Sequence, residues 1–348
     1  MKITLIQCPV WGTYDPPLAI AQLSSCLKKE SYEVNCVDLN VELYLNRKVK
    51  YKDMWAWEQS DFWYSEKNVA KFFVDNQSLI EAYVNRMLTS GSQVFCFSVS
   101  SSSYLASLEL AKVLKKRNCD LIIIFGGTLF FDKNWIFKIL DNGNIDFVIY
   151  GEGETTLTEV VKLISKGSKD FSLIKGIAFK KNDEVFIAPP QPYVDLNSLP
   201  FLDFKDLSLE KYDDSNHITL MASRGCVQSC VFCSSKSFWQ GYRTMSGERI
   251  FEEVKFHRDN YPKIGHIDFV DLLFNGNMKT LISFCNLMVN SGLGNTIRWA
   301  ANVIIRPEMT LEITKKMKAA GCVHLIYGIE TGSQHLLDLM RKRYKIID

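Results

Sequence analysis

Residues 217–235 read HITLMASRGCVQSCVFCSS. HITLMAS (217–223) reads as a short apolar strand, and a cysteine loop follows it directly. Cys226, Cys230 and Cys233 stand at the spacing C-x-x-x-C-x-x-C. Thiolates are the ligands of soft metals and of iron–sulfur clusters, and three of them in one loop can wrap a compact site. A structural zinc wants four ligands, in pairs about two to four residues apart. No fourth Cys or His lies close by, and His217 and His257 are not at a finger-like spacing. Three thiolates on a four-iron cluster leave one iron open, and an open iron can chelate a small molecule. Zinc and redox cysteines are the competing readings of the loop.

Working outward, helices and strands alternate downstream of the loop. SGERIFEEVKFHRDNY reads as a helix and HIDFVDLLF (266–274) as a strand. Residues 278–291 are helical, TIRWAANVI (296–304) is a strand, and PEMTLEITKKMKAAG is a helix. VHLIYGIETGS (323–333) is a fourth strand, and QHLLDLMRKRY begins a helix. The same alternation fills the start of the chain. KITLIQC (2–8), EVNCVDL (33–39), VFCFSVS (94–100), LIIIFGG (121–127) and DFVIYGEGE (146–154) are strands separated by helical stretches. Such alternation predicts βαβ units and mainly parallel sheets.

The expected fold class is therefore α/β. Residues 1–165 form a doubly wound, Rossmann-like domain, and residues 43–90 form an aromatic-rich helical insert within it. Residues 166–215 are a linker containing a hairpin over 176–188, marked by Pro189, Pro190, Pro192 and Pro200. Residues 216–348 are a partial β/α barrel of about four strands. Ligands on doubly wound sheets sit at the carboxyl ends of the strands. Those ends carry Pro9 to Pro17, Ser100 to Ser103, Gly126 to Thr128 and Gly151 to Glu154. Ser100, Gly126, Gly127, Gly151 and Glu152 are the candidate ligand-binding residues there. The insert's aromatics, among them Trp55, Trp63, Phe62 and Phe72, are read as packing residues.

At 348 residues and 47% apolar composition, the chain is long enough for two domains with a sizeable core. A net charge of +2, without a basic block, gives no nucleic-acid footprint. No apolar run approaches the roughly 18–20 residues of a membrane span. No signal peptide is expected, and the ten cysteines are too sparse for a disulfide scaffold, so a reducing cytoplasm is the expected location. Cys8, Cys26, Cys36, Cys96, Cys119, Cys285 and Cys322 are scattered and read as small core residues.

The loop C-x-x-x-C-x-x-C after a first barrel strand resembles the radical S-adenosylmethionine (radical SAM) superfamily. Further features are similar to its subgroup with an N-terminal cobalamin-binding-like domain. These are Pro16-Pro17-Leu18, Gly126-Gly127, the Gly151-Glu152-Gly153-Glu154 turn, Tyr242-Arg243, Asp271, and Gly328-Ile329-Glu330-Thr331-Gly332-Ser333. The resemblance covers almost the whole chain. It implies that the three thiolates hold a 4Fe–4S cluster whose open iron binds S-adenosylmethionine. It further implies a 5′-deoxyadenosyl radical that abstracts hydrogen from a substrate, and an electron donor such as flavodoxin or ferredoxin. By the same resemblance Phe232 packs near the adenine, and Glu330 contacts the ribose or the methionine amino group. Cobalamin is an implied cofactor, and methyl transfer to an unactivated carbon of a small molecule or peptide is the implied reaction. A cobalamin-independent methylthiotransferase or cyclase, and an inactive cluster- or cobalamin-binding protein, are the alternatives.

Two features depart from the pattern. The histidines are His217, His257, His266, His324 and His335. None precedes residue 217, so cobalamin in the first domain would have no histidine on cobalt. Family barrels have six βα units, whereas four strands are expected here. A fragment of a longer chain, or a partner covering the gap, is the expectation.

Overall fold

The computed structural model describes residues 1–239 and 241–347. The chain divides into two compact units, Met1–Val194 with Leu202–Asp213, and Asp195–Phe201 with Asp214–Asp348. The first unit runs β1 (Lys2–Gln7), α1 (Leu18–Lys29), β2 (Glu33–Asp38), α2 (Leu39–Leu45), α3 (Glu66–Asp75), α4 (Gln77–Thr89) and β3 (Val94–Ser98). It continues through α5 (Tyr104–Arg117), β4 (Ile122–Gly126), α6 (Lys133–Asp141), β5 (Phe147–Ile149), α7 (Gly153–Ser165), β6 (Ile177–Lys181) and β7 (Glu184–Ile187).

The sheet order is β2-β1-β3-β4-β5-β6-β7. The first five strands pair in parallel, as the doubly wound expectation requires. Helices on both faces explain why the strands read as almost continuous apolar runs, with Ile3, Leu5, Ile6, Phe95 and Phe125 buried. The order 2-1-3-4-5 is the flavodoxin-like one, and its winding reverses between β1 and β3. The loops after β1 and β3 flank that crevice. They are built rather than loose. Asn40 donates to the carbonyls of Trp11 (3.2 Å) and Gly12 (3.1 Å), and the Ser102 hydroxyl donates to the Val10 carbonyl (3.0 Å).

The stretch expected as a linker does not stand free. Its hairpin becomes β6 and β7, which extend the sheet antiparallel beyond β5. An unpaired strand edge is a liability, and this pairing covers it. Residues further on are held in separate places. Within the first unit, Tyr212 donates to Asp38 (2.8 Å) and Ser24 donates to Asp206 (3.2 Å). Within the second, the Leu199 carbonyl accepts from Arg249 (3.0 Å), whose guanidinium also lies over Phe201. The insert is helical as expected, with short 3-10 turns before α3. Its aromatics pack edge-on, with Trp63 against Phe72 at 5.1 Å and Tyr51 against Phe72 at 4.8 Å. Trp57 and Tyr64 remain exposed.

The second unit runs β8 (His217–Leu220), β9 (Ser223–Gly225), α8 (Ser235–Phe238), β10 (Tyr242–Thr244), α9 (Gly247–Asn260), β11 (His266–Phe269), α10 (Met278–Asn290), β12 (Arg298–Val303), α11 (Leu311–Ala319), β13 (Cys322–Tyr327) and α12 (Gln334–Leu339). Four strands pair in parallel in the order β13-β12-β11-β8. Trp299, Phe269, Phe274 and Phe284 form the core contacts under them. The predicted strand over 266–274 stops at Phe269, because the next residues turn to serve the cysteine loop. A two-stranded antiparallel ribbon, β9 with β10, was not expected from the sequence.

Asp38 ends β2, accepts from the Val41 amide (3.1 Å) and from Tyr212, and is buried. Burial pushes its carboxyl up to about 6, against the pull of those hydrogen bonds. The unfolded chain releases this proton near pH 4 and the folded chain near pH 6. Raising the pH through that window therefore costs stability, by about 3 kcal/mol in all. Relative to wild type, Asp38→Asn is expected to gain about that much between pH 4 and 7, measured as the difference in urea-unfolding free energy.

Candidate metal centre

The cysteine loop leaves β8 at the carboxyl end of its sheet. Two bonds fix the take-off. The Ala222 amide donates to Asp271 Oδ2 (3.1 Å), and the Ser223 hydroxyl donates to the Leu273 carbonyl (2.9 Å). Asp271 is fully buried, and burial pushes its carboxyl up to about 6. It lies just past β11. The ribbon then closes the loop, with Tyr242 opposite Gly225 and Thr244 opposite Ser223. Gly225 has φ +80°, and a Cβ there would lie 1.6 Å from the Gly241 carbonyl oxygen. Only glycine fits between the ribbon and the first cysteine.

Cys226 and Cys233 are half-buried and Cys230 is buried. The Gln228 amide donates to Cys226 Sγ at 3.4 Å, and the Cys233 amide donates to the Cys230 carbonyl at 3.3 Å. Burial pushes the Cys226 thiol up, Cys230 and Cys233 add to this as like charges, and Lys342 opposes it. Cys230 and Cys233 thus both lie within electrostatic reach of Cys226. Each thiolate of a cluster takes a different iron, so the three need not converge on one point. A soft, three-thiolate donor set in one glycine-hinged loop fits a 4Fe–4S cluster.

Phe232 is 54% exposed on this loop. Glu330 has φ +65° and pairs with Lys342 at 3.0 Å. Lys342 Nζ also lies 5.6 Å from the Phe232 ring centre. The structure therefore brings Cys226, Cys230, Cys233, Phe232 and Glu330 to one end of one unit. Lys342, which links them, was missed in the sequence, where it sits inside an unremarkable basic run.

Ser100, Gly126, Gly127, Gly151 and Glu152 lie along the carboxyl edge of the first unit's sheet. Ser100 exchanges hydrogen bonds with Ser102 and Ser103 inside its own turn. Gly127 has φ +118° and a Cβ there would lie 2.5 Å from the Val99 carbonyl oxygen, so packing against β3's exit accounts for this glycine. Gly126 sits beside Ile149, and Gly151 faces open space. Glu152 is buried and accepts from the Val194 amide (3.3 Å).

Among the described residues, His217, His266 and Asp268 form a group whose ligand atoms lie within 4.8 Å of one another. Asp268 lies 3.3 Å from His217 Nε2 and bonds His266 (3.0 Å), and the two imidazoles hold its carboxyl below the ordinary range, His217 foremost. The group lies at the amino ends of β8 and β11. Catalytic chemistry in parallel barrels belongs at the other end, so this trio reads as a structural floor.

A doubly wound sheet followed by a parallel β/α unit with a three-cysteine loop after its first strand defines the class. Residues 220–346 match the family model described as the Radical SAM superfamily. An uncharacterized methyltransferase of Pyrococcus horikoshii is 28% identical over 354 residues, covering 98% of this chain and 68% of its own length. An anaerobic magnesium-protoporphyrin IX monomethyl ester cyclase of Cereibacter sphaeroides is 28% identical over 212 residues, covering 59% of this chain and 34% of its own. The solved structure of the cobalamin-dependent S-adenosylmethionine radical enzyme OxsB, with aqua-cobalamin and S-adenosylmethionine bound, superposes with a TM-score of 0.70 at 21% identity. It covers 99% of this chain and 46% of that one. The chain thus spans between about a third and two thirds of the length of these proteins.

Gly225→Ala is expected to lower iron uptake on anaerobic reconstitution severalfold with all three cysteines intact, because the added methyl group displaces the ribbon that presents them. Iron per chain, set beside a Gly265→Ala control whose added methyl would meet nothing nearer than 3.9 Å, is the measurement.

Proposed function

We propose that this chain is a cobalamin-dependent radical SAM methyltransferase that acts on an unactivated carbon of a small molecule or peptide. The observation that carries the reading is the assembly of three thiolates, Phe232 and Glu330 at one end of the second unit. Cys226, Cys230 and Cys233 would hold the cluster, and Phe232 and Glu330 would hold the adenine and the ribose or amino end of S-adenosylmethionine. When bound, the cluster supplies the electron that cleaves S-adenosylmethionine. The residues of this chain orient the ligand and shield it. Gly225 and Asp271 set the loop's direction, the exposed ring of Phe232 offers an apolar face to a nucleobase, and the Glu330 carboxylate accepts from hydroxyl or ammonium donors.

Cobalamin would lie at the switch point between β1 and β3, the crevice where ligands bind on such sheets. The open space at Gly12, in the loop after β1, supports this. With no histidine in residues 1–216, the cobalt would be held without one. A reductant of the flavodoxin or ferredoxin type would be the electron donor. Ten cysteines with no disulfide among the described residues fit a reducing, cytoplasmic setting. No helix among the described residues is long and apolar enough to cross a membrane.

A methylthiotransferase with a second cluster in the first unit is disfavoured by a specific observation. Cys8, Cys36 and Cys96 are buried, and burial pushes the thiols of Cys8 and Cys36 up to about 12. Such thiols resist the ionisation that cluster binding needs. The cyclase-type reading is supported by the Cereibacter relative, over a smaller part of the chain.

The test is reconstitution of the full chain without oxygen, with hydroxocobalamin present. About four irons per chain, a charge-transfer absorption lost in Cys230→Ala, and a base-off cobalamin spectrum are expected. Wild-type iron after replacement of all three cysteines would refute the cluster, and an unchanged cobalamin spectrum would refute the methyltransferase assignment.

A further inference from the structure

After α12 the chain does not run on into solvent. Met340 caps the helix, Arg341 takes φ +58°, and the backbone turns back across the cysteine loop. Two bonds tie it there. The Val231 amide donates to the Met340 carbonyl (3.1 Å), and the Arg343 amide donates to Gln228 Oε1 (3.1 Å). Gln228 and Val231 stand on either side of Cys230. The other side of the same turn holds the Gly328–Glu330 segment. Tyr344, which is buried, donates its hydroxyl to the Ile329 carbonyl (2.6 Å). Lys342 Nζ donates to the Gly328 carbonyl (2.7 Å) and to Glu330 Oε1 (3.0 Å).

The lysine side chain is 7% exposed, and Glu330 is 36% exposed. A buried ammonium is costly unless its donors are satisfied. Here two of its three are taken by oxygens, and the ammonium also lies over the Phe232 ring at 5.6 Å. Glu330 holds a left-handed backbone that L residues rarely adopt, a conformation that persists where surroundings enforce it and that gathers at ligand clamps. One side chain therefore touches the residue carrying the carboxylate, the backbone two residues before it, and the aromatic ring between two of the cysteines.

We propose that Lys342 is a positioning residue, which holds the Glu330 carboxylate and the Phe232 ring in register with the cysteine loop so that S-adenosylmethionine meets a preset acceptor. This rests on the cluster and S-adenosylmethionine reading given above. Half-exposed Glu330 keeps a free oxygen for the ligand, while Lys342 occupies the other. The turn at 340–344 is the strap that keeps the two loops at one spacing.

The experiment uses the full chain, reconstituted without oxygen, as wild type, Lys342→Met, Lys342→Arg, Glu330→Gln and the Glu330→Gln/Lys342→Met double variant. Iron per chain is measured first. S-adenosylmethionine is then titrated against the electron paramagnetic resonance signal of the reduced cluster. Lys342→Met is expected to keep wild-type iron and to weaken S-adenosylmethionine by about ten- to a hundredfold, the size of one lost charge-assisted bond. Lys342→Arg is expected to recover most of that loss. The double variant is expected to bind within about twofold of the weaker single variant, because both act on one interaction. Wild-type affinity in Lys342→Met, additive losses in the double variant, or loss of iron in both lysine variants would overturn the proposal. So would a wild-type cluster whose signal S-adenosylmethionine leaves unchanged, with the cluster assignment intact. A wild-type chain that takes up no iron would instead sink the reading on which the proposal rests.

Discussion

Parallel pairing constrains everything else in this protein. A parallel strand can be followed by its neighbour only after the chain has crossed back over the sheet. Every crossover then delivers the next strand in the same direction, and the loops after the strands collect along one edge. In the first unit this gathers the turns at Pro9–Pro17, Ser100–Ser103, Gly126–Thr128 and Gly151–Glu154. In the second it gathers the cysteine loop, Asp271 and the Gly328–Glu330 turn. Residues more than a hundred positions apart become neighbours through strand direction, before any side chain has chosen a partner.

Within the second unit, the edge is stabilised by polar groups that a core would not tolerate unpaired. Asp271 is fully buried and accepts from the backbone ahead of the cysteines. Arg249 is buried against Glu253, which also bonds His257, and it reaches the Leu199 carbonyl. These bonds fix backbone that has no regular ladder to hold it. The glycine at 225 does the same by exclusion, since the ribbon approaches too closely for any side chain. Rigidity is thus concentrated at the base of the loop, while Phe232 and the thiols of Cys226 and Cys233 keep access to solvent.

Much of the architecture was legible from local pattern. Short, mostly apolar strands alternate with amphipathic helices, and that rhythm specifies βα units without reference to tertiary contacts. The cysteine spacing carries its chemistry in three residues. Other features were illegible for identifiable reasons. The hairpin at 177–187 reads the same whether it joins the sheet or hangs from it, because its own turn chemistry is local and its pairing with β5 is not. Gly127 looks like a ligand-approach glycine in sequence, yet Val99 is what it makes room for. Lys342 is one cation among several in RKRYK, and nothing in its neighbours distinguishes it.

By itself, the sequence determined the class of fold, the spacing of the three cysteines and the absence of histidine from residues 1–216, because each depends on residue type and short spacing. The tertiary structure decided the strand order and so the crevice between β1 and β3, the ribbon that aims the cysteine loop, and the contact of Lys342 with Glu330 and Phe232. Those depend on which distant segments the folded sheets bring side by side, and no local pattern encodes that pairing.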